Sequence, residues 1–104
     1  MSDLESEKKK DHCLKAGIEF NTLMTGITGD VAAEAMGVKM VKEQDKVTAT
    51  ISEEASKTYT NPKTDRLLGE ILDDIKDNCK GILPIEITKS DGEYTVIQRL
   101  KRGK

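Results

Sequence analysis

The stretch RLLGEILDDIKDNCKGILPIEITKSDGEYTVIQR, residues 66–99, carries two hydrophobic periods in succession. Leu67, Leu68, Ile71, Leu72, Ile75 and Cys79 recur at the spacing of one helical face, opposed by Glu70, Asp73, Asp74, Lys76 and Asp77. This predicts a helix over Arg66–Cys79, capped by Thr64 or Asp65, with Gly81 as the left-handed residue beyond its end. From Leu83 the period drops to two. Leu83, Ile85 and Ile87 alternate with Pro84, Glu86 and Thr88, Ser90-Asp91-Gly92 reads as a turn, and Tyr94–Leu100 returns as the partner strand. Pro84 lacks an amide proton, which places its strand at a sheet edge or places the proline among the strand's first residues.

The upstream half repeats this organisation more faintly. Cys13, Ala16, Gly17, Phe20, Leu23 or Met24, and Ile27 mark a helical stripe within Leu4–Met24, while Leu4–Asp11 is polar and expected to fray or project. Thr25-Gly26 is expected to stop or bend that helix, because glycine is a poor helix former. Asp30 then caps a short helix, Val31–Met36, closed by Gly37. Val38 and Met40 alternate with Lys39, and Val47, Ala49 and Ile51 alternate with Thr48, Thr50 and Ser52, giving a hairpin about the polar Lys42–Lys46 stretch. Glu53–Thr64 is the least organised part, with a turn at Asn61-Pro62.

The expected fold is therefore one α+β domain over residues 1–104, in the order α-(short α)-β-β-α-β-β. Two hairpins pair into a four-stranded antiparallel sheet with both main helices on one face. Residues 1–10 and 101–104 are expected to fray. On the open face this arrangement places Lys39, Val41, Thr48, Thr50, Glu86, Thr88, Thr95, Ile97 and Arg99, a threonine-rich surface. The layout and the Lys/Glu-rich style, spread over residues 1–104, resemble those of small conserved archaeal proteins of unknown function of the kind found in methanogens. No catalytic residue carries over from such a family.

Composition narrows the functional classes. Charged residues make up 35% of the chain, but the net charge is only −2, so the charges largely cancel. Ile, Leu, Val and Phe total 23 of 104 residues, enough for a folded core. Near-neutral charge removes the basic footprint that nucleic-acid binding needs. No apolar run approaches the ~20 residues of a membrane span, and the charged start MSDLESEKKKD does not read as a signal peptide, so a cytoplasmic protein is expected. Cys13 and Cys79 match neither a zinc pattern nor a CxxC pair, and in a reducing cytosol they read as buried thiols. His12 and Cys13 are adjacent and would point about 100° apart on a helix, so they do not form a nucleophile–base pair. No metal ligand set and no cofactor motif is visible.

Two loops are candidates for ligand contact. MTGITGD, residues 24–30, offers Thr25, Gly26, Thr28 and Gly29 before a helix start, as an anion site would. It lacks the lysine of GxxxxGK[ST] and does not match GxGxxG, and Asp30 puts a carboxylate where an anion would sit. A structural bend with a capped restart is the favoured reading. The second loop, Tyr59–Asp65, also precedes a helix and carries Asn61 and Lys63, with Arg66 following. The two could share an anionic ligand if the short helix crosses laterally, whereas an antiparallel return would separate them. The sequence leaves both open.

The leading functional expectation is a non-catalytic domain binding a small ligand or a protein partner. A homodimer is compatible with its open sheet face and free strand edges. One rival is a small enzyme acting on a phosphorylated or sugar-like substrate, with Asp30 as acid/base and Lys63 or Arg66 on the anion. Another is a nucleic-acid accessory protein using the basic end Arg99, Lys101, Arg102 and Lys104. Against it, Tyr94 is the sole strand aromatic, which argues against an RNA-stacking sheet.

Overall fold

A computed structural model of the chain describes the backbone of residues 2–99 and the side chains of residues 7–99. Four helices and four strands follow in the order α1 (Ser2–Ile27), α2 (Val31–Ala35), β1 (Lys39–Lys42), β2 (Lys46–Ile51), α3 (Glu53–Thr58), α4 (Leu68–Asn78), β3 (Ile85–Ser90) and β4 (Glu93–Arg99). The strands form one antiparallel sheet in the order β1-β2-β4-β3, so the two hairpins meet through β2 and β4. The expected α+β architecture is present. The sequence expectations for residues 101–104 lie outside the described residues.

Register explains which side chains are buried. Met40, Ala49, Val96 and Ile87 lie in one cross-strand row, flanked by Ile51 with Tyr94 and by Gln98 with Ile85. Ala49, Ile51, Ile85, Ile87, Tyr94 and Val96 of this face join Phe20, Leu23, Met24 and Ile27 of α1 and Leu68, Ile71, Leu72 and Ile75 of α4 in one core. The opposite rows are Lys39–Thr50–Thr95–Thr88 and Val41–Thr48–Ile97–Glu86, the surface expected from alternation. Thr50, Thr95 and Thr88 stand side by side there, a pairing that suits adjacent strands.

The two turns that close the units use left-handed residues. Asp91 and Gly92 have φ of 53° and 81°, the type I′ geometry whose twist matches a two-residue hairpin. Gly37 has φ 104°, and a Cβ there would stand 2.9 Å from Ser52 Cβ. Glycine is therefore required by conformation and by space.

Four local expectations are corrected. First, α1 does not stop at Thr25-Gly26 but continues to Ile27, because Leu23, Met24 and Ile27 are all buried on its stripe and offset the roughly 1 kcal/mol cost of glycine. Second, the least organised segment contains α3. Ser52 caps it by accepting a hydrogen bond from the Ala55 amide at 3.1 Å, and Ala55 and Ser56 are buried against the neighbouring helix. Third, neither Thr64 nor Asp65 caps α4. Leu67 occupies the cap position, where its amide donates to Glu70 Oε1 at 3.1 Å, while Asp65 takes a left-handed turn with φ 62°. Fourth, Cys13 and Cys79 are not thiols. They form a disulfide across a Cα–Cα distance of 5.6 Å, tying α1 to the end of α4. Each lay on the stripe of its own helix, and packing those stripes together brought the sulfurs into contact.

Candidate functional site

Asn61 builds the site from inside. Its side chain is 2% exposed, and both its nitrogen and its oxygen are hydrogen-bonded. Nδ2 donates to the Glu19 carbonyl of α1 at 3.0 Å, and Oδ1 accepts from the amides of Lys63 and Thr64 at 2.8 and 3.1 Å. Its backbone closes the loop, because the Asn61 amide donates to the Arg66 carbonyl and the Asp65 amide to the Asn61 carbonyl, both at 2.8 Å. Asparagine suits this role, since its side chain can imitate a backbone turn while anchoring elsewhere. The effect is to hold Pro62–Arg66 over the middle of α1.

Between that loop and α1 lies a cavity of about 410 Å³, within the usual range for small-molecule sites. Ala16 and Ile18 supply apolar wall, and Lys15, Glu19, Lys63 and Arg66 supply charge around it. Arg66 Nη2 donates to Glu19 Oε1 at 2.7 Å and to Asp74 Oδ2 at 3.1 Å. Asp74 also accepts from Asn78 Nδ2 at 2.7 Å and is held by His12 Nε2 at 2.7 Å. Such charge-assisted contacts orient all five side chains.

These partners set the ionisation of the site. Burial pushes the Asp74 carboxyl up, but hydrogen bonds from Asn78, His12 and Arg66 outweigh it and hold the group below its ordinary value. Glu19 follows the same pattern, with burial opposed and exceeded by the Arg66 guanidinium. Both carboxylates are thus charged and share one cation, Arg66. Lys15 and Lys63 form no ion pair among the described residues. The cavity accordingly presents unmatched positive charge beside apolar surface.

The glycine loop lies elsewhere. Thr28, Gly29 and Asp30 border a smaller cavity of about 200 Å³ with Ala33, Val38 and Met40. Asp30 Oδ1 accepts from the Ala32 amide at 2.9 Å as the cap of α2, and Gly29 turns the chain with φ 81°. Thr28 Oγ1 donates back to the Met24 carbonyl at 2.6 Å. Thr25 and Gly26 are exposed in the last turn of α1. The two candidate loops do not meet: Asn61 anchors at Glu19, about two to three helical turns before Gly29 along α1. Asn61, Lys63 and Arg66 instead meet His12, Lys15 and Glu19, which sequence reasoning did not assign to a site. Glu19 and Arg66 are 47 residues apart, and neither carries a local signal of the other.

Among the described residues no group of His, Cys, Asp and Glu is placed to hold a metal ion. No helix there is long and apolar enough to cross a membrane. No protein-family model, curated protein or solved structure matches this chain.

Proposed function

We propose that the protein is a non-catalytic binding module whose ligand site is the cavity between α1 and the Asn61–Arg66 loop. The observation that supports it is the pairing of unmatched Lys15 and Lys63 with an apolar wall, in a space whose own carboxylates are already held by Arg66 and His12. Such a surface favours a small organic anion, a carboxylate or phosphate monoester with a short apolar body. Lys15 and Lys63 meet the charge, and Ala16 and Ile18 cover the carbon chain. The enzyme reading has less support, because Asp30 borders a different cavity from Lys63 and Arg66.

An NMR titration with hexanoate, hexyl phosphate, hexanol and inorganic phosphate tests this. Saturable shifts of the Lys15, Ile18, Lys63 and Thr64 amides are expected with the two amphipathic anions and not with hexanol. The double change Lys15→Ala with Lys63→Ala should weaken binding about tenfold or more, or 1.4 kcal/mol. An equal response to hexanol, or shifts confined to Thr28–Asp30, would overturn the assignment.

A further inference from the structure

The outer edge of β3 offers a second and separate surface. In the β3–β4 hairpin the Arg99 amide donates to the Pro84 carbonyl at 3.1 Å, and the turn joins Ser90 to Glu93. Antiparallel strands alternate, so Pro84, Glu86, Thr88 and Ser90 direct their backbone groups toward β4. The amides and carbonyls of Ile85, Ile87 and Lys89 therefore point away from the sheet. Pro84 does not blunt this edge, since the amide it lacks would have faced β4. Among the described residues no strand pairs with the outer side of β3.

A groove of about 510 Å³ runs beside this edge, under the last turn of α4. Ile75, Leu83 and Ile87 line it, and Lys76, Lys80 and Arg99 stand around it. Two carboxylates are near: Asp77 takes Lys76 at 2.9 Å and Glu86 takes Arg99 at 3.6 Å. Lys80 makes no ion pair among the described residues, so positive charge remains.

We infer that β3 and its groove accept an extended acidic segment of a partner protein as a fifth strand. Residues of that segment opposite Ile85 and Ile87 would exchange backbone hydrogen bonds with them. Their side chains would fall on the helix side and enter the groove, where apolar groups meet Ile75 and Leu83. Acidic residues at the segment's ends would reach Lys76, Lys80 and Arg99. A second copy of this chain is disfavoured, because it would bring the same cations against themselves. The edge of β1 is shorter and borders the small Asp30 cavity.

The test titrates the full chain with an end-blocked octapeptide that alternates valine and threonine between terminal glutamates, followed by NMR and amide hydrogen exchange. Saturable shifts and slowed exchange are expected at the Ile85, Ile87 and Lys89 amides. A lysine-ended version of the peptide, and one N-methylated at alternate amides, should each bind about tenfold weaker or worse. The double change Lys76→Glu with Lys80→Glu should reverse the preference between the glutamate and lysine peptides. Absence of saturable shifts at millimolar peptide, shifts confined to other elements, or equal binding of both peptides would overturn the inference. So would slow exchange of these amides without peptide together with dimers in sedimentation, because a second copy would then hold the edge.

Discussion

Arg66 joins a carboxylate eight residues ahead in its own helix region to one 47 residues back on α1. Replacing it with methionine leaves Glu19 and Asp74 without their shared cation, and a loss of about 2 kcal/mol is expected at neutral pH. The pH dependence has a definite sign. Both carboxylates have folded-state values below their ordinary 4.5 and 3.8, so the stability they contribute is present above those values and is lost as pH falls through the folded ones. The deficit of Arg66→Met should therefore shrink as pH falls from neutral through the lowered folded-state values, as read by urea unfolding. A deficit independent of pH would show that the guanidinium acts by packing alone. Asn61→Ala tests the other anchor. It removes the acceptor for two loop amides and the donor to α1, so about 1–3 kcal/mol should be lost and the loop amides of Lys63 and Thr64 should exchange faster.

At the scale of elements, the caps show how much was written locally. Asp30 caps α2 as its position before Val31-Ala32-Ala33 suggested, and Asp91-Gly92 makes the turn that the dipeptide favours. Ser52 was equally legible, since Ser52-Glu53-Glu54 is a capping residue followed by acidic first-turn positions, but the six-residue helix it starts has too few turns to show a periodic stripe. Ser52 also donates to the Met36 carbonyl at 2.5 Å, fastening α3 to the end of α2. Ser52→Ala should therefore cost about 1–2 kcal/mol, at the upper part of the range for a simple cap, in thermal or urea unfolding. The misplaced cap of α4 has a different cause. Thr64 and Asp65 are drawn into the Asn61 turn, whose own local hydrogen bonds compete for them and leave the cap position to Leu67.

At the scale of the whole molecule, the disulfide closes a loop of 66 residues that includes α2, α3 and the first hairpin. By the chain-entropy account a closure of that length stabilises the fold by about 4 kcal/mol. This is a large share of the 5–15 kcal/mol typical of a domain. Reduction with dithiothreitol, or the double change Cys13→Ala with Cys79→Ala, should lower the urea midpoint strongly, with thiol counting by mass spectrometry to confirm the state of the sulfurs. Two free thiols in the untreated protein would refute the bond. The expectation of free thiols rested on spacing and compartment, whereas the bond depends on the crossing of α1 and α4.

Hydrophobic period and turn chemistry, both local properties of the chain, determined the order of the main elements, the α+β class and the face of every strand, because side-chain alternation is set by backbone geometry. The tertiary structure alone decided what met what. It paired β2 with β4, brought Cys13 to Cys79, and laid the Asn61 loop on the middle of α1 rather than on the glycine turn. Each of those contacts joins residues whose local neighbourhoods are indifferent to one another. They follow from how the helical stripes and the sheet face share one core, and from the hydrogen-bonding groups that this packing leaves to be matched.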